Sequence, residues 1–193
     1  MKRYSWEELY AELSDCRRCR LCERRQHIVP GEGDPHADIM LIGEGPGQDE
    51  DRQGRPFVGR SGQLLTRMLE AIDLKREQVY ICNVVKCRPP GNRTPEPDEA
   101  SACIGFLRAQ FALVRPKIIL LLGKTASRYV LNQEVFIGRD HGRWVERKGV
   151  WMMPTYHPSA LLRDPALKRA AWEDFQSVQA KWEELSNGGG REA

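Results

Sequence analysis

The fold is decided by residues 37–47, which run Ala37-Asp38-Ile39-Met40-Leu41-Ile42 and then Gly43-Glu44-Gly45-Pro46-Gly47. The apolar run is short and predicts a buried strand. The glycines and the proline that follow it predict a sharp turn. Glu44 is therefore expected at the carboxyl end of a buried strand.

Three further strands follow, and helical patterns separate them. The predicted strands cover 78–86, 117–122 and 150–156, and the predicted helices cover 5–15, 61–73, 94–115, 123–132 and 164–185. Crossovers of this length permit parallel pairing. The order predicts a three-layer α/β/α sandwich with a central four-stranded, mainly parallel sheet. Residues 1–185 are expected to form a single domain, and residues 186–193, with three consecutive glycines, a flexible tail.

The composition bounds the class of protein. With 193 residues, 40% of them hydrophobic, the chain is long enough to bury one core. The apolar runs are too short to span a membrane and the N-terminus has no signal-peptide pattern, so we expect a cytoplasmic protein. The net charge of +3 permits a nucleic-acid partner without demanding one. Six cysteines in such a protein are expected as ligands, catalytic groups or core residues rather than as disulfides.

Distinctive side chains lie at or near the ends of three predicted strands: Glu44 and His157 follow theirs, and Asn83 lies inside the strand at 78–86. Ligands of parallel sheets bind outside the carboxyl ends of the strands, where Glu44, Asn83 and His157 are expected to meet. Taken alone, Asn83 fits a loop anchor and a reader of a base edge equally well, and an isolated histidine is usually structural. Their shared position at one sheet edge favours a binding site.

The glycine-rich turn is a poor match to a dinucleotide-binding fingerprint. Pro46 interrupts it, no helix is expected directly after it, and the acids at 49–51 would repel a phosphate. The turn suits an uncharged ligand better. Phe57, in the loop that follows, is by itself more often a core residue than a stacking surface.

Cysteines and basic residues give two further signals. Cys16 and Cys19 form a C-x2-C pair, and Cys87 and Cys103 complete four thiols that suit zinc or an iron–sulfur cluster, with spacing slightly favouring zinc. Basic residues form either a solvated face or contacts to phosphates. They are Arg17, Arg18, Arg20, Arg24 and Arg25 near the cysteines, and Arg88, Arg93, Arg139, Arg143, Arg147, Lys148, Arg163, Lys168 and Arg169 near the strand-end loops.

The motifs together, in this order, are similar to those of the family 4 uracil-DNA glycosylases, the iron–sulfur members of that superfamily. The resemblance covers residues 12 to 185 and rests on GEGPG at 43–47, ED at 50–51, GRPFVG at 54–59, NVVKCRP at 83–89 and HPS at 157–159. It implies the same α/β/α sandwich. It also implies a DNA-repair enzyme that flips deoxyuridine out of DNA, hydrolyses its N-glycosidic bond and leaves an abasic site.

The resemblance implies a role for each site residue. Phe57 corresponds to the aromatic side chain that stacks on uracil, Asn83 to the amide that pairs with its polar edge, and His157 to the group that stabilises the leaving anion. The other implied contacts are Gly43, Glu44 and Gly45 along the base and sugar, Glu50 against the 5-position to exclude thymine, and Leu161 as a wedge in the duplex.

A cofactor and a partner are implied in the same way. The resemblance assigns a structural [4Fe–4S] cluster, which would join the N-terminal segment to the loop after the second strand, and a monomer that binds single- or double-stranded DNA containing uracil. The corresponding cluster ligands are Cys16, Cys19, Cys87 and Cys103; Cys22 and Cys82 are additional cysteines, and Cys82 is expected in a strand core.

One position departs from the superfamily pattern. The best-known members carry an aspartate at the position of Gly45 to orient water, so Glu44, Asn83, backbone carbonyls or DNA phosphates must hold the water here, and Glu44 is the first choice. Glu44, Asn83 and His157 are the expected catalytic residues. His141 is expected in a loop away from the site. Two alternatives stay open: a nucleic-acid-binding protein with a pocket that does not hydrolyse, and a zinc-stabilised nucleotide-binding enzyme.

Overall fold

A single mixed sheet forms the centre of the protein in the computed structural model, which describes residues 4–188. Its strands are β1 (Glu32–Gly33), β2 (Ile39–Gly43), β3 (Tyr80–Asn83), β4 (Ile118–Leu122), β5 (Val145–Arg147) and β6 (Val150–Thr155). Within the described residues these six strands lie in the order β1-β3-β2-β4-β6-β5. The four central strands pair in parallel, and the two edge strands pair antiparallel.

Both faces of the sheet are buried. Side chains alternate along β2, so that Met40 and Ile42 enter one hydrophobic cluster while Ile39 and Leu41 enter the other. Parallel sheets are covered by helices on both sides, and their strands are therefore apolar throughout. This burial explains why β2 and β4 have no polar face in the sequence.

Helices form the two outer layers. They are α1 (Trp6–Ser14), α2 (Gln48–Gln53), α3 (Arg60–Glu70), α4 (Pro97–Val114), α5 (Lys124–Leu131), α6 (Ile137–Asp140), α7 (Pro158–Arg163) and α8 (Lys168–Gly188). Side chains of α1, α4 and α5 belong to one hydrophobic cluster, and side chains of α3 and α8 belong to the other. The helices thus lie on opposite faces of the sheet.

The predicted α/β/α class is confirmed, with a correction to the sheet. The four predicted strands are present and form its centre, but the described residues contain six strands rather than four. β1 and β5 escape prediction because edge strands of two and three residues carry no apolar run.

Several helix boundaries also differ from the prediction. α4 begins after Glu96 rather than after Thr94, because the Glu99 carboxylate accepts the backbone N–H of Glu96 and closes a capping box. The short helix α2 directly follows the glycine-rich turn, where no helix was expected. Its first turn carries three acids, so it still disfavours a phosphate. The short helix α7 was not predicted either.

The last helix extends beyond the predicted C-terminal end of the domain. Helix α8 continues to Gly188, past the predicted domain end at residue 185. The rest of the predicted tail, residues 189–193, lies outside the described residues. No helix between residues 4 and 188 combines the length and apolar character needed to cross a membrane.

A buried lysine links the sheet to α4. Lys86 is 1% exposed, and its Nζ donates to the backbone oxygen of Asn83 at 2.7 Å and to Oε1 of Gln110 at 2.5 Å. Gln110 in turn donates to the backbone oxygen of Pro30 and to the Tyr80 hydroxyl. A buried charge is tolerated only when its hydrogen bonds are made, so Gln110 is essential to this network.

We predict that Gln110→Leu lowers the free energy of unfolding by about 2–4 kcal/mol, because it removes one of the two acceptors of a buried ammonium group. Urea denaturation measures the change. Arg108→Ala, at an exposed position on the same helix, serves as the control and should change the value by less than about 0.5 kcal/mol. Equal stabilities of the two variants would contradict the assignment.

Candidate active site

A cavity of about 740 Å³ opens at the carboxyl ends of the central strands. The parallel register pairs Gly43 with Asn83 and Leu122 with Thr155, so the residues after these strands reach one edge of the sheet. The cavity lining includes most of the predicted site residues, namely Glu44, Gly45, Glu50, Phe57, Asn83 and His157. The sequence rule about strand ends therefore located the cavity correctly.

Asn83 lies at the floor of this cavity, beside Phe57. It is 1% exposed, and its Oδ1 has no hydrogen-bond partner among the described residues. Gly43 makes this arrangement possible, because a Cβ there would lie 2.5 Å from Phe57 Cζ and still closer to Asn83 Oδ1. A buried acceptor without a partner costs about 1–3 kcal/mol, so the amide is prepared for a ligand that donates to it.

Two charged side chains hold the loop that carries Phe57. Glu50 Oε1 accepts the backbone N–H groups of Val58 and Gly59 at 2.8 and 2.9 Å. On the other side, Arg76 Nη1 donates to the backbone oxygen of Phe57 at 2.9 Å, and Arg76 also contacts the carbonyl of Pro56. Phe57 has a φ of +51°, which is unfavourable for an aromatic residue. The surrounding hydrogen bonds stabilise this strained backbone.

Glu32 completes the support of this loop from the sheet edge. It forms ion pairs with Arg55 and Arg76, both at 2.7 Å. Burial alone would raise the pKa of Glu32, but hydrogen bonds from the two arginines outweigh this effect and lower it. Glu32 therefore stays ionised beside Arg76 and holds its guanidinium in place.

His157 caps α7 and points its ring at the cavity. Nδ1 accepts the backbone N–H of Ser159 at 3.1 Å and lies 2.7 Å from the Ser159 hydroxyl. Since a backbone N–H can only donate, the proton of the neutral ring resides on Nε2. Burial lowers the pKa of His157 to about 4, and the positive charge of Arg163 adds to this effect. The ring is thus a neutral donor through Nε2, and its centroid lies 5.6 Å from that of Phe57.

Glu44 faces the same cavity from the glycine-rich turn. Its Oε2 accepts hydrogen bonds from the hydroxyls of Thr125, at the start of α5, and Thr94. Gly45 follows it, and a Cβ at this position would lie 2.8 Å from Val85 Cγ2. The turn therefore has no room for a side chain at Gly45, and Glu44 is the carboxylate that it presents.

Basic side chains line the mouth of the cavity. Of those singled out in the sequence, Arg93 and Arg163 lie there, together with Lys124 and Arg128. Arg93 pairs with the buried carboxylate of Glu99 at 2.7 Å. The positive charge at the mouth favours an anionic ligand around an uncharged pocket floor.

The predicted wedge, Leu161, is buried in this structure. It is only 1% exposed, because α7 turns it into the protein interior. It would have to leave that interior to enter a duplex. The next residue, Leu162, is 37% exposed.

The predicted cluster ligands come together at a second, smaller cavity between α1 and α4. Its lining includes Cys16, Cys19, Cys87 and Cys103, and also Cys22. All six cysteines in the described residues are free thiols. Arg25 Nη1 lies 3.3 Å from the Cys87 sulfur. Burial raises the pKa of Cys87 to about 11, although Arg25 opposes this rise. Cys82 is buried in the strand core, as expected.

Sequence reasoning missed a polar network behind His157. His141, expected in a loop away from the site, lies 3.0 Å through Nδ1 from Asp174 Oδ1. The other Asp174 oxygen accepts the hydroxyl of Thr155 at 2.6 Å. Burial raises the pKa of Asp174 despite these two partners. The network fixes the end of β6, two residues before His157, and only the fold brings its members together.

Known proteins resemble this chain over most of its length. Residues 30–176 match the family described as the uracil DNA glycosylase superfamily. A type-4 uracil-DNA glycosylase of Thermotoga maritima is 46% identical over 92% of this chain and 96% of that one. The type-4 enzyme of Sulfurisphaera tokodaii is 44% identical over 91% and 84%. A type-5 uracil-DNA glycosylase of Pyrobaculum aerophilum is 31% identical over 81% and 83%.

We predict that His157 stays neutral, with its proton on Nε2, down to about pH 4, the pKa that burial gives it. Nitrogen NMR of the histidine side chains during a pH titration measures both the tautomer and the pKa. His157→Gln assigns the signal. A proton on Nδ1 at neutral pH, or a charged ring at pH 6, would contradict the geometry.

The same shift affects stability in a defined direction. Because the folded pKa lies below the ordinary value of about 6.5, the unfolded chain binds this proton first as the pH falls. The free energy of unfolding should therefore decrease from about pH 6.5 to about pH 4 through this residue. His157→Gln should lack this part of the pH dependence.

Proposed function

The chain belongs to the type-4 uracil-DNA glycosylases, and we propose that its cavity receives a uracil flipped out of DNA and releases it by hydrolysis of the N-glycosidic bond. This makes the protein a DNA-repair hydrolase of base excision, and it leaves an abasic site. One observation carries the proposal: the buried, unpartnered Oδ1 of Asn83 at the cavity floor. Uracil supplies the missing donor through N3–H.

Asn83 distinguishes uracil from cytosine by the direction of its hydrogen bonds. Its Oδ1 accepts from uracil N3–H while its amide group donates to O4. Cytosine has an acceptor and a donor in the opposite places, so both contacts would be lost and buried groups would remain unpaired. Such a mismatch is a strong basis for rejection. Phe57, fixed between Glu50 and Arg76, provides the stacking surface.

His157 stabilises the leaving group. When the glycosidic bond breaks, the sugar becomes cationic and uracil leaves as an anion. The Nε2–H of His157 donates to uracil O2, where negative charge develops. A neutral ring with its proton already on Nε2 needs no rearrangement, and donors placed in advance contribute on the order of 10²–10³-fold in rate.

Glu44 orients the attacking water. Threonine hydroxyls from Thr125 and Thr94 donate to one oxygen of its carboxylate, which holds the group in the lining of the cavity. Its negative charge also stabilises the cationic sugar. Gly45 cannot share this role, because it has no side chain.

Glu50 excludes thymine by shaping the wall beside the 5-position of the base. Its two oxygens accept backbone N–H groups from Gly47, Val58 and Gly59. The carboxylate therefore fixes the two loops that, in this proposal, form the wall against the methyl group of thymine. Leu161 remains the proposed wedge, and its entry into the duplex requires α7 to release it from the interior.

The four thiols fit a structural [4Fe–4S] cluster better than a single zinc ion. Zinc needs four sulfurs within about 2.3 Å of one point, and no three His, Cys, Asp or Glu side chains between residues 4 and 188 converge in this way. Cys16, Cys19, Cys87 and Cys103 nevertheless surround one cavity, as ligands of a larger group would. The cluster, when bound, cross-links α1, the β3 exit and α4.

The partner in this proposal is DNA, either single-stranded or as a duplex. A monomer suffices, because all proposed contacts come from one chain. Basic side chains at the mouth, including Arg93 and Arg163, neutralise its phosphates. Free thiols persist in a reducing compartment, which supports a cytoplasmic location.

The test is uracil release from a labelled oligonucleotide, followed by alkaline cleavage of the abasic site. We predict that Asn83→Ala lowers single-turnover cleavage by roughly 100-fold, because two hydrogen bonds to the base are lost. Asn132→Gly is the control: Asn132 is exposed, and its φ of +52° suits glycine. Cleavage by Asn83→Ala at the control's rate, or DNA binding without uracil release by the wild type, would refute the proposal.

The cluster assignment predicts a difference between two cysteine variants. Cys103→Ala should lose most of its iron and its visible absorbance and should unfold at a lower temperature, because one ligand is missing. Cys22→Ala, at the same cavity, should retain both. The measurement is the iron content per chain of the two variants. An iron-free Cys22→Ala protein would show that the ligand set is wrong.

A further inference from the structure

Phe136 is an exposed aromatic residue beside the mouth of the cavity. More than half of its side chain, 55%, is accessible to solvent. Its chain neighbour Ile137 lines the cavity. The ring is therefore accessible to a ligand, although a single exposed aromatic residue is not by itself a binding site.

Two cations and one carboxylate surround the ring. Lys124 Nζ lies 5.7 Å from the ring centroid and Arg139 Cζ lies 5.0 Å from it. Lys124 also lines the cavity. Asp140 accepts the backbone N–H of Phe136 at 2.8 Å and pairs with Arg139. The backbone of Phe136 is thus anchored, and its ring lies next to two cationic side chains.

We propose that Phe136 is a stacking platform for an unpaired base adjacent to the flipped uracil, with Lys124 and Arg139 contacting the flanking phosphates. The proposal rests on the function proposed above for the neighbouring cavity. Proteins that bind single strands combine aromatic rings with cations in this way, because every base has a face that stacks. The platform therefore favours single-stranded DNA, or a duplex opened around the lesion, over intact duplex.

A protein partner fits this surface less well. An apolar interface core is depleted of charged residues, whereas Lys124 and Arg139 lie directly against Phe136. The same pair of cations suits a polyanion with flat bases. The neighbouring cavity adds a second point of attachment on the same strand.

Binding of single strands tests the platform. The probe is an oligonucleotide with 2′-fluoro-deoxyuridine, whose fluorine suppresses bond cleavage, and with either normal bases or tetrahydrofuran abasic sites on both sides of it. Phe136→Ala should weaken binding of the normal strand by about tenfold. The same substitution should not change binding of the strand with abasic sites, because that strand has no flanking base to stack on the ring. Phe136→Tyr should bind like the wild type.

Phe111→Ala provides the matched control. Phe111 is 38% exposed and lies near the C-terminal end of α4, whereas the N-terminal end of that helix reaches the cavity. Its replacement should leave binding unchanged. A loss by Phe136→Ala that persists without flanking bases would overturn the proposal. So would no loss at all. Uracil release by all variants separates this outcome from failure of the proposed function.

Discussion

Parallel pairing of β2 with β3 aligns Gly43 with Asn83 at the last pair of the two strands, and the geometry of the cavity depends on that contact. Any side chain at Gly43 would collide with the Asn83 amide and the Phe57 ring. The glycine lets three groups from different segments share one small volume. Shifting the register by one residue would turn Asn83 to the opposite face of the sheet and remove the amide from the floor.

Buried charges around the cavity act mainly on the backbone. Glu50 accepts three N–H groups, Arg76 donates to two carbonyls, and Lys86 donates to the carbonyl of Asn83 itself. Each of these charges has lost solvation, and its hydrogen bonds offset that cost. Ionic groups in this protein therefore fix the backbone around the recognition surface, while further basic side chains line the same cavity.

Much of the fold follows from the sequence, because buried strands such as β2 and β4 are apolar throughout and the strand-end rule then places Glu44, Asn83 and His157 together. Other features depend on contacts between distant segments. Arg76 acts on Phe57 through backbone atoms, and no spacing in the sequence reveals such a contact. The burial of Leu161 could not be predicted either, because α7 is a short helix whose inward face the sequence pattern does not show.

The close approach of Gly45 to Val85 has an evolutionary consequence. A Cβ at position 45 would lie 2.8 Å from Val85 Cγ2, and a branched side chain attached to the sheet has little freedom to move. An aspartate at position 45 would therefore force the Val85 side chain to shift, and a smaller residue at position 85 would remove that cost. Substitutions at these two positions are thus expected to be coupled.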